Sequence, residues 1–162
     1  SASASAQLFI STARTKGLAV SSMPLRMANH LSDKKSLQEW KKKTQTALRF
    51  NSAVIAAIDL PLQAKSKSME KYSEQLLAVA GSILDSESIG QIFIEGGATA
   101  SSLVRQMGWS SLSVVHEWAP GVATMRVEND GGQFITIKPG SYQWPPEIVR
   151  LAATERIPFP VA

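Results

Sequence analysis

The chain has 162 residues, enough for one hydrophobic core and too few for two comfortable domains. Apolar residues make up 44%, ordinary for a globular domain, and no stretch approaches the roughly 18 to 20 continuous apolar residues of a membrane helix. Lys and Arg number 17 against 13 Asp and Glu and are not interleaved with aromatics, which speaks against a nucleic-acid partner; cysteine is absent, which excludes disulfides, thiolate metal sites and cysteine nucleophiles and fits a cytoplasmic location.

The chain opens on Ser rather than Met, which reads as processing or a fragment, and residues 1–6 alternate Ser and Ala like a tag, linker or disordered start. Residues 1–32 hold Arg14, Lys16 and Arg26 and no acid, a composition shared with organellar transit peptides, but a structured pattern already begins at Gln7. Residues 7–162 are therefore expected to form a single domain. Gln7 to Ser11 reads as a short strand and Gly17 to Val20 as another, running into Ser21 and Ser22. Pro24 suits the first turn of a helix over Leu25 to Leu31.

The spacing of Leu37, Trp40, Thr44, Ala47 and Leu48 predicts a helix that Ser36 or Asp33 caps, with Lys34, Lys35 and Lys41 to Lys43 on its solvated face. Ser52 to Asp59 is nearly continuous apolar sequence, the pattern of a strand buried on both faces. Beyond a polar loop from Pro61 to Ser68, Met69, Tyr72, Leu76, Val79, Ala80 and Ile83 form the stripe of a long helix. Gly90 to Glu95 reads as a second buried strand, and Ala100 to Met107 as a helix ended by Gly108. Three short strands follow, Leu112 to His116, Ala123 to Val127 and Gln133 to Lys138, separated by Pro-Gly and Asn-Asp-Gly-Gly turns. Pro145 and Pro146 open a last helix through Ala153, and Ile157 to Pro160 is extended. The order implies an α/β domain with a mainly parallel or mixed central sheet, helices on both faces and a β-rich C-terminal part.

Chemistry concentrates at two strand ends. Ile92-Phe93-Ile94-Glu95-Gly96-Gly97-Ala98-Thr99-Ala100-Ser101 is a buried strand, a Gly-Gly turn and a hydroxyl-rich helix start. Ligands of open α/β sheets sit beyond the carboxyl ends of strands, and a helix start offers free N–H groups to phosphate. The plain alternative is a tight turn with Thr99 as helix cap. Ile135-Thr136-Ile137-Lys138-Pro139-Gly140-Ser141 delivers a Lys and a Gly at another strand end, where a turn is again the plain alternative. Trp118-Ala119-Pro120-Gly121-Val122 is a turn whose Trp either shelters a base or packs in the core. There is no Walker-type phosphate loop and no dinucleotide fingerprint. His30 and His116 are far apart, Glu95 and Asp59 stand singly at strand ends, and no acid cluster suggests a metal site, so no catalytic and no metal residue is assigned.

Phe93 to Ser101, then Met107-Gly108, Ala119 to Val122 and Ile137 to Gly140, in this order and spacing, resemble the C-terminal domain of the four-carbon acid sugar kinase family. That family joins an N-terminal substrate-binding domain to a C-terminal nucleotide-binding domain and phosphorylates sugar acids such as threonate, erythronate and oxo-tetronates. The resemblance implies ATP or ADP as ligand, with Mg at the phosphates, and an upstream substrate domain as partner. It leaves room for a homo-oligomer. It places the ligand contacts on Gly96, Gly97, Ala98, Thr99 and Ala100, on Lys138 and Gly140, and on Ser22 in the Ser-rich turn. The chain departs from the family at Ala98, where an acid is usual, and at Ser141-Tyr142-Gln143, where a further Gly is usual. Those departures suit the alternative, a non-catalytic nucleotide- or phosphometabolite-binding regulatory module. On either reading the chain alone is expected to transfer no phosphate, since the family's acidic substrate motif has no counterpart in it.

Overall fold

Strand and helix alternate because the apolar residues alternate in period. The structure, a computed structural model, describes residues 4–24, 34–58, 66–129 and 132–153. The elements are α1 (Ala4–Thr15), β1 (Ala19–Ser22), α2 (Lys34–Phe50), β2 (Val54–Ala57), α3 (Ser66–Leu84), β3 (Gln91–Glu95), α4 (Gly97–Gln106), β4 (Leu112–Ala119), β5 (Val122–Val127), β6 (Phe134–Lys138) and α5 (Pro146–Ala153). The helix read over Leu25 to Leu31, the strand end at Asp59, His30 and the extended tail lie outside the described residues.

The mixed α/β class holds, but the sheet is in two pieces. β1 and β2 form a parallel pair. The second sheet has the order β3-β6-β5-β4, with β3 parallel to β6 and the rest antiparallel. β2 and β3, expected in one central sheet, pair only with β1 and β6 respectively among the described residues.

One expected strand is a helix. Gln7 to Ser11 lies inside α1, whose first turn begins within the Ser-Ala stretch at Ala4. Its buried residues Ala6, Ile10 and Ala13 recur at helical spacing, and Ala is the strongest helix former. A five-residue window is too short to show that period.

The faces of the sheets follow from alternation along β3. Ile92 and Ile94 face Leu77, Ala80 and Leu84 of α3 and Leu103 of α4. Phe93 points the other way, edge-on to Trp144 at 6.0 Å between ring centroids, and Phe9 of α1 reaches the same ring at 6.1 Å. α2 and α3 share a second cluster of Trp40, Tyr72, Val79 and Ile83. α2 and α3 thus cover one face, and α1 with Trp144 the other.

Trp40 anchors the smaller sheet. It is fully buried, and its indole N–H reaches both the carbonyl and the hydroxyl of Ser21, at 3.2 and 3.1 Å. Ser21 and Thr44 share a hydrogen bond of 2.7 Å, and Thr44 also donates to the Trp40 carbonyl at 2.9 Å. The Lys run divides: Lys42 and Lys43 are exposed, whereas Lys41 crosses to the Ser82 hydroxyl of α3. At the far margin, β4 carries exposed Val114 and Val115 and slips register twice against β5, so that Val115 and Trp118 have no partner residue in the ladder. Replacing Trp40 with Ala removes a fully buried indole and its hydrogen bonds; the expected loss, by urea denaturation, is about 3 to 5 kcal/mol.

Candidate functional site

The parallel pairing of β3 with β6 puts their carboxyl ends side by side. Ile94 lies opposite Ile137 and Glu95 opposite Lys138, and the ladder ends with the Gly96 N–H donating to the Lys138 carbonyl at 2.8 Å. The two glycine turns that the sequence singled out therefore meet at one edge. The β4–β5 hairpin joins them: Gly121 sits at its tip, and a methyl group built there would touch Pro139 and Tyr142 at 3.6 Å each.

The glycines at this edge differ in what the fold asks of them. Gly96 has φ of 98° and Gly121 of 78°, values a side chain rarely tolerates, so both are required by the backbone. Gly97 and Gly140 have no such angle, and a Cβ on either would meet nothing within 4 Å. The protein itself gives no reason for glycine at either position. Both leave the backbone open to close approach from outside.

α4 starts at Gly97 with Gly96 as its cap residue, and no side chain caps it. Thr99, read as a candidate cap, lies within the first turn instead. Ala100 donates its N–H to the Gly96 carbonyl at 3.0 Å and buries its methyl in the core, so its backbone is already occupied. The first-turn N–H groups that carry no intrahelical bond are those of Gly97, Ala98 and Thr99.

Lys138, expected as a ligand contact at a strand end, turns its ammonium inward. Its side chain is wholly buried. Its Nζ lies 3.3 Å from a Glu95 carboxylate oxygen, donates to the Pro139 carbonyl at 2.9 Å and to the Tyr142 carbonyl, and stands 5.4 Å from the Trp144 ring centre. The charge is spent inside the protein. It pins the turn after β6 to the end of β3 and, through Trp144, to α1.

Two further expected features take structural places. Ser22 ends β1 in the smaller sheet, with β2 between it and the larger one, and its hydroxyl accepts from Arg14 at 2.7 Å. Trp118 is half-buried and donates its indole N–H to Thr124, which bonds Thr136, which accepts from Gln91 at 2.9 Å. That cross-strand chain spans β4, β5, β6 and β3. Among the described residues no group of three His, Asp or Glu could hold a metal ion.

A cavity of about 760 Å³ lies beside this edge, between β2 and β3. Glu95, Thr99 and Trp144 reach it, but Gly97 and Gly140 do not line it. It runs along the strands rather than across their ends.

A model of a nucleotide-binding C-terminal domain matches residues 1–142. The chain belongs to that family. Its fold is shared with a Bordetella bronchiseptica protein that carries a domain of unknown function (DUF1537), crystallised with bound citrate as a domain-swapped dimer: 17% identity, TM-score 0.73, over 94% of this chain and 38% of that one. A Haemophilus influenzae protein of the same DUF1537 type gives 16% identity and TM-score 0.74 over 93% of this chain and 38% of its own. The nucleotide-binding domain thus spans well under half of the solved chains it resembles. No curated protein matches it. Among the described residues no helix is long and apolar enough to cross a membrane.

Within this nucleotide-binding domain, the Lys138 clamp makes a test of its own. Lys138→Met leaves the Glu95 carboxylate and two carbonyls without their cation and is expected to cost about 3 to 5 kcal/mol in denaturant unfolding. Adding Glu95→Gln should recover part of that loss, because the stranded charge is then removed as well.

Proposed function

We propose that this domain is the ATP-binding half of a kinase that phosphorylates small sugar acids of the threonate, erythronate or oxo-tetronate type. The observation that carries the reading is the pair Gly97 and Gly140, each two residues beyond the paired ends of parallel strands β3 and β6 and glycine for no reason internal to the protein. A triphosphate needs such an approach. The N–H groups of Gly97, Ala98 and Thr99, with the positive end of the α4 dipole, suit phosphate oxygens. The Thr99 hydroxyl adds a donor. Mg would accompany the phosphates, held by them and by water, since the turn offers no cluster of acids.

Phosphoryl transfer requires in-line placement of a nucleophile and neutralisation of developing charge. This domain supplies the phosphate cradle. The sugar acid, its general base and the remaining positive charge belong to a substrate domain upstream in the same protein. A cytoplasmic location, where ATP is plentiful, is part of the reading and agrees with the absence of cysteine. The alternative, a regulatory module that binds a nucleotide without turning it over, is favoured by the burial of Lys138, which leaves this turn without a free ammonium. The two part company when the domain is joined to its upstream partner and assayed for ATP-dependent phosphorylation of threonate and erythronate. Turnover selects the kinase; nucleotide binding without turnover selects the module.

Gly97→Val and Gly140→Val are each expected to weaken ATP binding at least tenfold, about 1.4 kcal/mol, in calorimetric titration with Mg present. Both should leave the melting temperature unchanged, because each added side chain enters open space. Wild-type affinity in both variants would falsify the shared phosphate cradle.

A further inference from the structure

The cavity between β2 and β3 has the shape of a missing strand. On its two long sides it is bounded by Val54–Ala57 of β2 and by Ile92 to Glu95 of β3. Among the described residues each of those strands has a ladder partner on its other side only. Above and below, the cavity is lined by apolar side chains, such as Leu76 and Ile83 on one side and Phe9 and Trp144 on the other. Peptide edges on two sides and apolar side chains on the other two are the surroundings of a central β-strand.

Three features say where that strand comes from. The first is handedness. β1 to β2 and β2 to β3 each cross over through a helix, α2 and α3, and those helices lie on one face. Right-handed crossovers put helices on the same face only when the chain steps the same way across the sheet. A strand in the slot followed by α1 and then β1 steps the opposite way, past β2, so its helix must lie on the opposite face. α1 does lie there, against Trp144. The second is the position of the start of α1. Ser5 donates to the Tyr142 carbonyl at 2.8 Å, just beyond the carboxyl end of β6. A strand in the slot parallel to β3 would release its chain at that same edge. The third is that Ala6, Phe9 and Ile10, in the first half of α1, line the slot itself.

We propose that the slot receives one parallel β-strand of about five residues, apolar on both faces, carried by chain ahead of residue 1 and joining the two sheets into one. The proposal stands apart from the nucleotide reading; it concerns an interaction surface at the middle of the sheet and the segment that fits it. The solved relatives, of which this domain covers 38%, have ample chain outside the match to supply such a strand.

The test compares amide hydrogen exchange in three forms: the 162-residue chain, the same chain extended at its N-terminus by about five β-branched residues and a Gly-Ser link, and the same extension with proline at its centre. The strand extension should slow exchange at amides of both Val54–Ala57 and Gln91–Glu95 by about tenfold or more, while β5 amides stay unchanged. The proline form should give no such protection, since a central strand cannot lose its donor. Three outcomes would overturn the proposal: no gain at either edge, the same gain from the proline form, or full protection of both edges by Mg-ATP alone, which would make the slot a ligand pocket. Nucleotide affinity is read separately, so its loss or retention leaves this result intact.

Discussion

An ammonium group taken wholly out of water must have every direction filled, and Lys138 meets that demand by gathering pieces from across the domain. Glu95 comes from β3, two carbonyls from the turn after β6, and an aromatic face from Trp144. Removing such a group from water costs several kcal/mol, so these partners are obligatory rather than decorative. The turn that bears Gly140 holds its shape because its carbonyls are committed to the buried cation. The same commitment fixes Glu95 one residue ahead of Gly96. Both halves of the glycine edge are set by one charge, and Trp144 passes the constraint to Phe9 and α1.

The two sheets raise a question of balance. Among the described residues each strand facing the slot has a ladder partner on its other side only, and the walls around the slot are mostly apolar. The slot of about 760 Å³ is lined mostly by apolar side chains, and water in it wets surface of the kind a core buries. A strand that joined the two sheets would cover that surface and pair both edges at once.

Most of the fold was legible because its signals were local. The helix stripes from Leu37 to Leu48 and from Met69 to Ile83 stand in the chain as periods, and the strands at Val54, Gln91, Val122 and Phe134 as short apolar runs between turn residues. α1 resembles a strand over Gln7 to Ser11 because five residues are too few to display a helical period, and Ala6 and Ala13, which complete its buried stripe, look featureless one at a time. The meeting of the two glycine turns was legible only conditionally, since it depends on β3 and β6 being parallel neighbours across some 40 intervening residues. Lys138 could not be read at all. A Lys after an apolar strand looks the same in sequence whether its ammonium meets a phosphate or a carboxylate; only the opposition of Glu95 in the register decides it. The slot likewise has no local signature, because an absent neighbour leaves no mark on the strands that lack it.

β4 brings a different kind of consequence. It is the margin of the larger sheet, eight residues long, with Val114 and Val115 turned to solvent. A straight strand of that description would be a template on which further copies could stack into fibres. The two slips at Val115 and Trp118 bend it out of line. A growing ladder needs an even spacing of peptide groups, and this edge breaks that spacing every few residues. The domain can therefore leave a greasy rim uncovered in a crowded solution without seeding its own polymer.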